Sequence, residues 1–408
     1  MTAASYWLAD APAFAATAPL PQAPVDVAVI GAGIAGVSTA LHLSELGAEV
    51  ALLDAGVVAG RASGRNDGQL LLGLGEHYNR IVGQFGADRA RVLWAFLRRN
   101  HDAMLATVRE LGIDCGLEQQ GGLRLAETGH EAAELRTASA LLTAEGIAHE
   151  LLSPLETLAR FPAGRGWFGA LFLPGEAIVH PARMVRGLCA EAARRGAAVV
   201  EHAPVLRIEG AAGDFAVHLR DGRALAARAV VFCTSALARE LDPTGFLQRV
   251  VFPFRGQVLA TDPLPDDVLA GFPRCAMSSN FCYEYFRVHG QRLFLGGMRW
   301  SVKGEEQGLL DDDTTNDEVA ANLRAYAARH FAVPVEFPHA WTGIMAGTPD
   351  GLPLLGGLPG APGMFVLGAF NGYGLSFAFL AGRCAAQMVV DGSCPDPAMP
   401  LFAPRRFA

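Results

Sequence analysis

Three apolar blocks near the start of the chain define a folding unit. Val25–Ile30 is mostly apolar, residues 34–46 carry apolar side chains at helical spacing, and Val50–Leu53 is apolar throughout. Runs of these lengths predict a strand, an amphipathic helix and a buried strand. Gly31-Ala32-Gly33-Ile34-Ala35-Gly36 joins the first two, and Asp54-Ala55 follows the last. In that setting each glycine has a mechanical role. Gly31 makes the tight turn, Gly33 admits a pyrophosphate to the backbone, and Gly36 lets the helix close on the strand. The helix N-terminus offers N–H groups and a positive dipole end to phosphates. Asp54, about 20 residues on, supplies a carboxylate for an adenosine ribose. The pattern predicts a bound dinucleotide.

Downstream, the pattern changes character several times. Residues 5–24 are rich in Ala and Pro and read as an arm on the surface. Residues 60–73 (GRASGRNDGQLLLG) are glycine-rich, polar and too long for an ordinary strand–helix turn, which marks a functional loop. Residues 75–112 and 131–146 read as helices around the strand-like GGLRLAE. His180-Pro181 opens a further helix, with proline in the first turn. Strands follow with a hairpin at Asp221-Gly222, and RAVVFCT has the all-apolar look of a buried strand. Residues 249–300 alternate over long stretches, as in a broad antiparallel sheet. Residues 317–331 are helical, and the C-terminal block returns to strand, glycine loop and helix.

Composition narrows the function. At 408 residues, two domains are expected. A net charge of −8 without a basic cluster argues against nucleic acid as a partner. Residues 1–19 contain no Lys or Arg and so do not form a secretory signal. No run of about 18 uncharged apolar residues is present, so no membrane partner is expected. A cytoplasmic protein is the expectation. The seven cysteines (115, 189, 233, 275, 282, 384, 394) form no C-x-x-C pair, and no histidine pair has metal spacing, so no metal is expected. Of 33 basic residues only Lys303 is a lysine, in the polar stretch SVKGEEQG, which makes covalent catalysis by lysine a poor reading.

The fingerprint, the stretch ASGRNDGQ and the ending GAFNGYGLSFAFLAGRCAAQ resemble the D-amino-acid oxidase (DAO) superfamily of FAD-dependent oxidoreductases. The branch it resembles is that of γ-glutamylputrescine oxidoreductase, glycine oxidase and sarcosine oxidase, and the likeness runs from SYWL to about Gly392. It implies an α/β plus α+β fold, in which a Rossmann-like FAD-binding domain of the GR2 type is interleaved with an antiparallel-sheet substrate domain. The expected partition is 20–75, 165–240 and 335–395 for the FAD domain, 76–164 and 241–334 for the substrate domain, and an arm at 1–19. It also implies non-covalent FAD held by Gly31, Gly33, Ile34, Ala35, Gly36, Asp54, Ala55, Arg61, Ala62, Ser63, Arg65, Asn66, Gln69, Val205, Gly343, Gly372, Gly374, Leu375 and Ser376. The Gly372-Tyr373-Gly374 turn would aim a helix N-terminus at the flavin ring and favour its anionic reduced form.

Three departures stand out. Sarcosine-oxidase relatives attach flavin through a cysteine in the segment matching 341–351, which here has none. The SGRNGGQ of that branch has Asp67 in place of a glycine, and its G-H-G has Tyr373 in place of the histidine. The resemblance implies oxidation of a C–N bond to an imine, by hydride transfer to flavin N5, followed by hydrolysis. The carboxylate clamps of amino-acid-using relatives are missing after Gln69 and after Gly374, which favours a primary or secondary amine such as a γ-glutamylputrescine-like compound. Arg255, Arg287 and Arg299 are either binders of a remote carboxylate or structural. Tyr283 and Tyr285 either wall an amine pocket or pack in the sheet. Asp67 is either a partner for the substrate ammonium or a loop residue. Asp67, Tyr283, Tyr373 and Arg299 form the candidate catalytic set. Oxygen or another electron acceptor completes the reaction. The competing readings are a catalytically silent flavoprotein subunit, an amino-acid dehydrogenase with another acceptor, and an NAD(P) enzyme, which the late glycine turn disfavours.

Overall fold

The computed structural model describes residues 4–408; the first three residues of the expected arm lie outside it. Two eight-stranded sheets organise the chain. In the first, Val25–Ile30 pairs in parallel with Val50–Leu53 on one side and Ala224–Phe232 on the other. Ala198–Val200 and Met364–Gly368 continue the parallel run on either side, and Leu354–Gly357 beyond Met364–Gly368 and the hairpin Val205–Ala211/Asp214–Leu219 add antiparallel strands. Val50–Leu53 and the ends of Val25–Ile30 and Ala224–Phe232 nearest the glycine turn are buried on both faces, which accounts for their apolar sequences. Helices Ile34–Glu45 and Gly374–Asp391 pack against each other beside this sheet, each burying ten or more residues. Close contact is possible because Gly382 faces Ser38, leaving no room for a larger side chain.

The second sheet is antiparallel except where Ala276–Ser279 meets Gly122–Leu125. Phe252–Ala260 is its spine, pairing over nine residues with His339–Gly347 and, along its other edge, with Arg292–Gly296. Two strands cross the expected partition. Ala170–Leu173 pairs with Gly122–Leu125 and Glu150–Leu152, so it belongs to the second sheet rather than to the 165–240 piece. His339–Gly347 likewise belongs with Phe252–Ala260 rather than with 335–395. Both are apolar and strand-like, and only their pairing reveals which sheet they join.

Other expectations shift locally. The 75–112 helix is two helices, Tyr78–Phe85 and Ala87–Glu110, broken at Gly86, whose φ of 80° a β-carbon would resist. The arm is not a surface appendage. Tyr6–Asp10 forms a short helix, Trp7 is fully buried and stacked on Phe294 at 4.4 Å, and Ser5 is buried too. An Ala/Pro-rich composition hid the one side chain that anchors it.

Candidate functional site

One large cavity, about 780 Å³, runs between the two sheets. That volume suits an organic cofactor with room for a small ligand. At one end it is lined by Gly31, Gly33, Ile34, Ala35, Asp54 and Ala55. Gly31 has φ of 102°, and a β-carbon there would lie 2.7 Å from the Cys233 carbonyl oxygen. Gly36 does not line the cavity. A β-carbon on it would overlap the Gly31 carbonyl, so it serves the closure of helix on strand. Asp54 accepts hydrogen bonds from Ala32 N (2.7 Å) and Gly56 N (2.8 Å), holding the turn in shape while keeping lone pairs for a ribose. Val205 and Arg220 line this same end.

The 60–73 loop forms the middle wall. Its shape is fixed from outside by donors aimed at its carbonyls: Ser5 Oγ to Gly64 O (2.6 Å), Trp7 Nε1 to Asn66 O (2.6 Å) and Trp341 Nε1 to Arg65 O (2.8 Å). Asn66 spans the loop with both ends of its amide, donating to Ala62 O and accepting from Gly68 N. Ser63 Oγ accepts from Ile34 N at 2.9 Å, tying the loop to the first turn. Arg61 and Arg65 pair with the buried Asp312. Gln69 Nε2 donates to Met277 O (3.1 Å) and Phe286 O (3.2 Å), bridging to the second sheet. All of these loop residues except Gly64 and Gly68 from Arg61 through Gln69 line the cavity.

The far end belongs to the second sheet and the late glycine turn. Gly343, Gly372, Tyr373, Gly374, Leu375 and Ser376 line it. Helix Gly374–Asp391 begins here with no side-chain cap, which leaves the Gly374 and Leu375 N–H groups available while Ser376 N donates to Tyr373 O (3.0 Å). The Tyr373 ring packs on Gly75, and its hydroxyl donates to Gly75 O at 3.3 Å. Tyr283 and Tyr285 both face the cavity, while Glu284 and Phe286 between and after them point to the opposite side, into the core. Gly296 leaves room for the Tyr285 ring, which a β-carbon there would overlap, and Gly256 leaves room for Met345. Asp67 lines the cavity close to Tyr285. Burial raises its carboxyl above the usual range, and the Arg287 guanidinium only partly opposes this.

The three candidate arginines separate. Arg255 is buried and committed to Glu306 (2.6 Å) and Thr314, outside the cavity. Arg287 is fully buried, donates to Gly68 O (3.2 Å) and Val179 O (2.8 Å), and lies over the Trp7 ring. Both are structural. Arg299 alone of the three lines the cavity. Lys303 is exposed and outside it. All seven cysteines are free, and six are buried.

Sequence reasoning missed Thr234, Ser235, Ala236, Leu237 and Glu240, which line the cavity where Ala224–Phe232 ends beside the fingerprint turn. Their signal was positional, since ligands collect beyond the carboxyl ends of parallel strands. Met345, Phe370, Asn371, Ser278 and Cys282 were missed as well; nothing in their spacing marks them. The cavity's chemistry fits FAD. Gln69 Oε1 and Thr234 Oγ1, on two lining residues, are buried without hydrogen-bond partners, and the glycine turn leaves space where a β-carbon would intrude.

Behind the tyrosines, Glu284 accepts from Trp300 Nε1 (2.6 Å) and Met298 N (3.3 Å). Burial pushes its carboxyl up to about 7, Trp300 and Asn280 holding it down. From its ordinary 4.5 to about 7 the folded protein keeps a proton that the unfolded chain releases. Glu284 therefore contributes stability at low pH that is lost as pH rises through that window. Glu284→Gln is expected to make the decline of melting temperature between those pH values shallower; an unchanged slope would contradict this reading.

Among the described residues no helix is long and apolar enough to cross a membrane, and no cluster of His, Cys, Asp and Glu could hold a metal ion. Residues 26–388 match the model of the family described as FAD dependent oxidoreductase. The chain is 26% identical over 368 residues to γ-glutamylputrescine oxidoreductase of Escherichia coli (strain K12), covering 89% of this chain and 83% of that protein. It is 28% identical over 374 residues to glycine oxidase of Geobacillus kaustophilus (strain HTA426), covering 89% and 92%. The crystal structure of L-proline dehydrogenase from P. horikoshii superposes with a TM-score of 0.79 at 19% identity, over 95% of this chain and 98% of that one. Fold, cavity and family match agree: this chain belongs to the DAO family of FAD-dependent oxidoreductases, enzymes acting on amines and amino acids.

Proposed function

We propose that the enzyme oxidises a primary or secondary amine of the γ-glutamylputrescine kind. The observation that carries this reading is the single cavity joining the fingerprint turn to a wall of Tyr283, Tyr285 and Asp67. In this reading the Gly31–Ala35 turn and Asp54 would hold the adenosine and pyrophosphate, and the 61–69 loop and Gly343 would hold the ring. The uncapped helix start at Gly374–Leu375 would offer its dipole to negative charge on the ring. Bound FAD supplies the hydride acceptor.

The chain's own residues prepare the amine. An ammonium with a pKa of about 10 must shed its proton before its C–H bond can give up hydride. Asp67 is placed to hold that ammonium and to accept the proton at a carboxylate oxygen. Tyr285, whose hydroxyl makes no hydrogen bond to the described protein, and Tyr283 offer ring faces to the cation. The imine leaves for hydrolysis.

An anaerobic screen of amines, followed by flavin absorbance, tests the reaction. Bleaching by at least one amine is expected, and a flavin reduced by dithionite but by no amine would favour the silent-subunit reading. FAD attachment is expected to be non-covalent, since 341–351 lacks a cysteine. Acid precipitation should release all the colour; a yellow washed pellet would contradict it. Reduced enzyme is also expected to react more slowly with oxygen than with an artificial dye, because no lysine lines the cavity to place a compact charge beside the ring. Stopped-flow reoxidation in air checks this. Fast reoxidation surviving both Lys303→Met and Arg299→Met would overturn the charge argument.

A further inference from the structure

We infer that Arg299 is an anion subsite, so that the substrate carries a negatively charged group remote from its reacting amine. This deepens the amine reading and rests on it for the other pole. The cavity's cationic lining residues are Arg61, Arg65, Arg220 and Arg299. Arg61 and Arg65 are tied to Asp312, and Arg65 also donates to Thr342 O. Arg220 belongs to the opposite, Asp54 end of the cavity, its backbone N–H bonded to Pro204 O next to Ala203, whose N–H bonds Asp54 O. Arg299 stands at the substrate end, its guanidinium 4.7 Å from the Phe254 ring centroid and 5.9 Å from that of Tyr283. Stacking of this kind keeps a planar cation in place while leaving its edge open to an anion.

The turn that carries Arg299 is held firmly. Gly297 and Met298 have φ of 122° and 56°, and Glu284 accepts from both Met298 N and Trp300 Nε1. Arg299 itself makes only loose contacts, from Nη1 to Glu305 Oε2 (3.3 Å) and Glu305 O (3.4 Å). Glu305 is half-exposed, lies on a polar loop and is not among the residues lining the cavity, and it meets only Nη1, so the contact is a weak competitor for a substrate anion. Arg255, by contrast, is committed to the Glu306 carboxylate and to Thr314, and both terminal nitrogens of Arg287 are held by the Gly68 and Val179 carbonyls, away from the cavity.

Both charges stand in the cavity lining, on different elements. Asp67 lies on the 61–69 loop and Arg299 on the turn after Arg292–Gly296, and Tyr285, which pairs with Gly296, lines the cavity with them. A ligand that meets both must bridge from the loop to the turn. An α-amino acid carries its ammonium and carboxylate on one carbon and cannot do so; an amine with a carboxylate at the far end of an alkyl or amide chain can.

The test uses FAD-loaded protein and two kinds of readout. Glutarate, which has no amine, is titrated while the flavin spectrum and heat are recorded, with pentanamide as the neutral comparison. Glutarate should bind more tightly, Arg299→Met should weaken it about tenfold or more, and Arg299→Lys should restore part of the loss. Glu305→Gln should strengthen glutarate binding. Anaerobic reduction by 5-aminopentanoate and by pentylamine then gives a preference ratio, which should collapse in Arg299→Met and persist in Arg228→Met, a surface change at a residue paired with Asp26. Glutarate binding no tighter than pentanamide, or a ratio unaltered in Arg299→Met, would overturn the subsite. If no amine reduces the flavin, the amine reading fails while the glutarate titration still judges Arg299.

Discussion

Gly33→Val is expected to yield a folded protein that retains less than about a tenth of the flavin of the wild type. Gly33 has φ of −76° and ψ of −179°, extended backbone that valine adopts readily, so strain is not the cause. Space is. A β-carbon at Gly33 meets only Ser63 Oγ, at 3.0 Å, and otherwise projects into the cavity where the pyrophosphate would lie against the turn. Ser63 can yield, since its bond to Ile34 N is a single contact on a loop, whereas two γ-methyl groups remain in the way of the phosphates. Gly31→Val differs in kind, because φ of 102° and the Cys233 carbonyl oppose the side chain whether or not a ligand is bound. Flavin absorbance per chain, with circular dichroism as the folding control, separates the outcomes. Stoichiometric flavin in Gly33→Val would refute the assignment of the turn.

Asp67→Asn is expected to slow anaerobic flavin reduction about a hundredfold at neutral pH while leaving FAD content unchanged. Only the ionised carboxylate can pair with an ammonium and take its proton. Burial raises the Asp67 carboxyl, so the wild-type rate should climb as pH rises through that elevated value and then level off. Asparagine keeps the shape and the acceptor for Gln69 N but cannot titrate, so this limb of the profile should vanish. A profile identical to wild type would return Asp67 to a loop residue.

Much of the cofactor end was legible because its chemistry is local. A glycine turn, a helix start and an acidic residue stand within about 25 positions, and the turn geometry requires those residue types. The 60–73 loop was legible as an anomaly of length and composition. What holds it was not: Trp7, Trp341 and Ser5 act through hydrogen bonds spanning 59 or more positions, which no local pattern encodes. The arginines show the same limit. Arg255, Arg287 and Arg299 all lie on or beside alternating strands, and only the pairing of those strands decides which one faces the cavity. Tyr283 and Tyr285 were readable as one face of a strand by their period of two, whereas Ala170–Leu173 and His339–Gly347 looked like strands of either sheet. Thr234 and its neighbours were reachable only through topology, once Ala224–Phe232 was seen to lie beside the fingerprint strand.

The central claim is that FAD lies along the one large cavity, from the fingerprint turn to the start of the last long helix. Diffraction from crystals of the yellow protein tests it most directly. The account predicts density for an adenosine and pyrophosphate against Gly31–Ala35 and Asp54, continuing to a flat ring bounded by the 61–69 loop, Gly343 and Gly374–Ser376, with open space left between the ring and Asp67, Tyr285 and Arg299. A flavin bound elsewhere, or one whose ring fills the space beside Asp67 and Arg299, would contradict it.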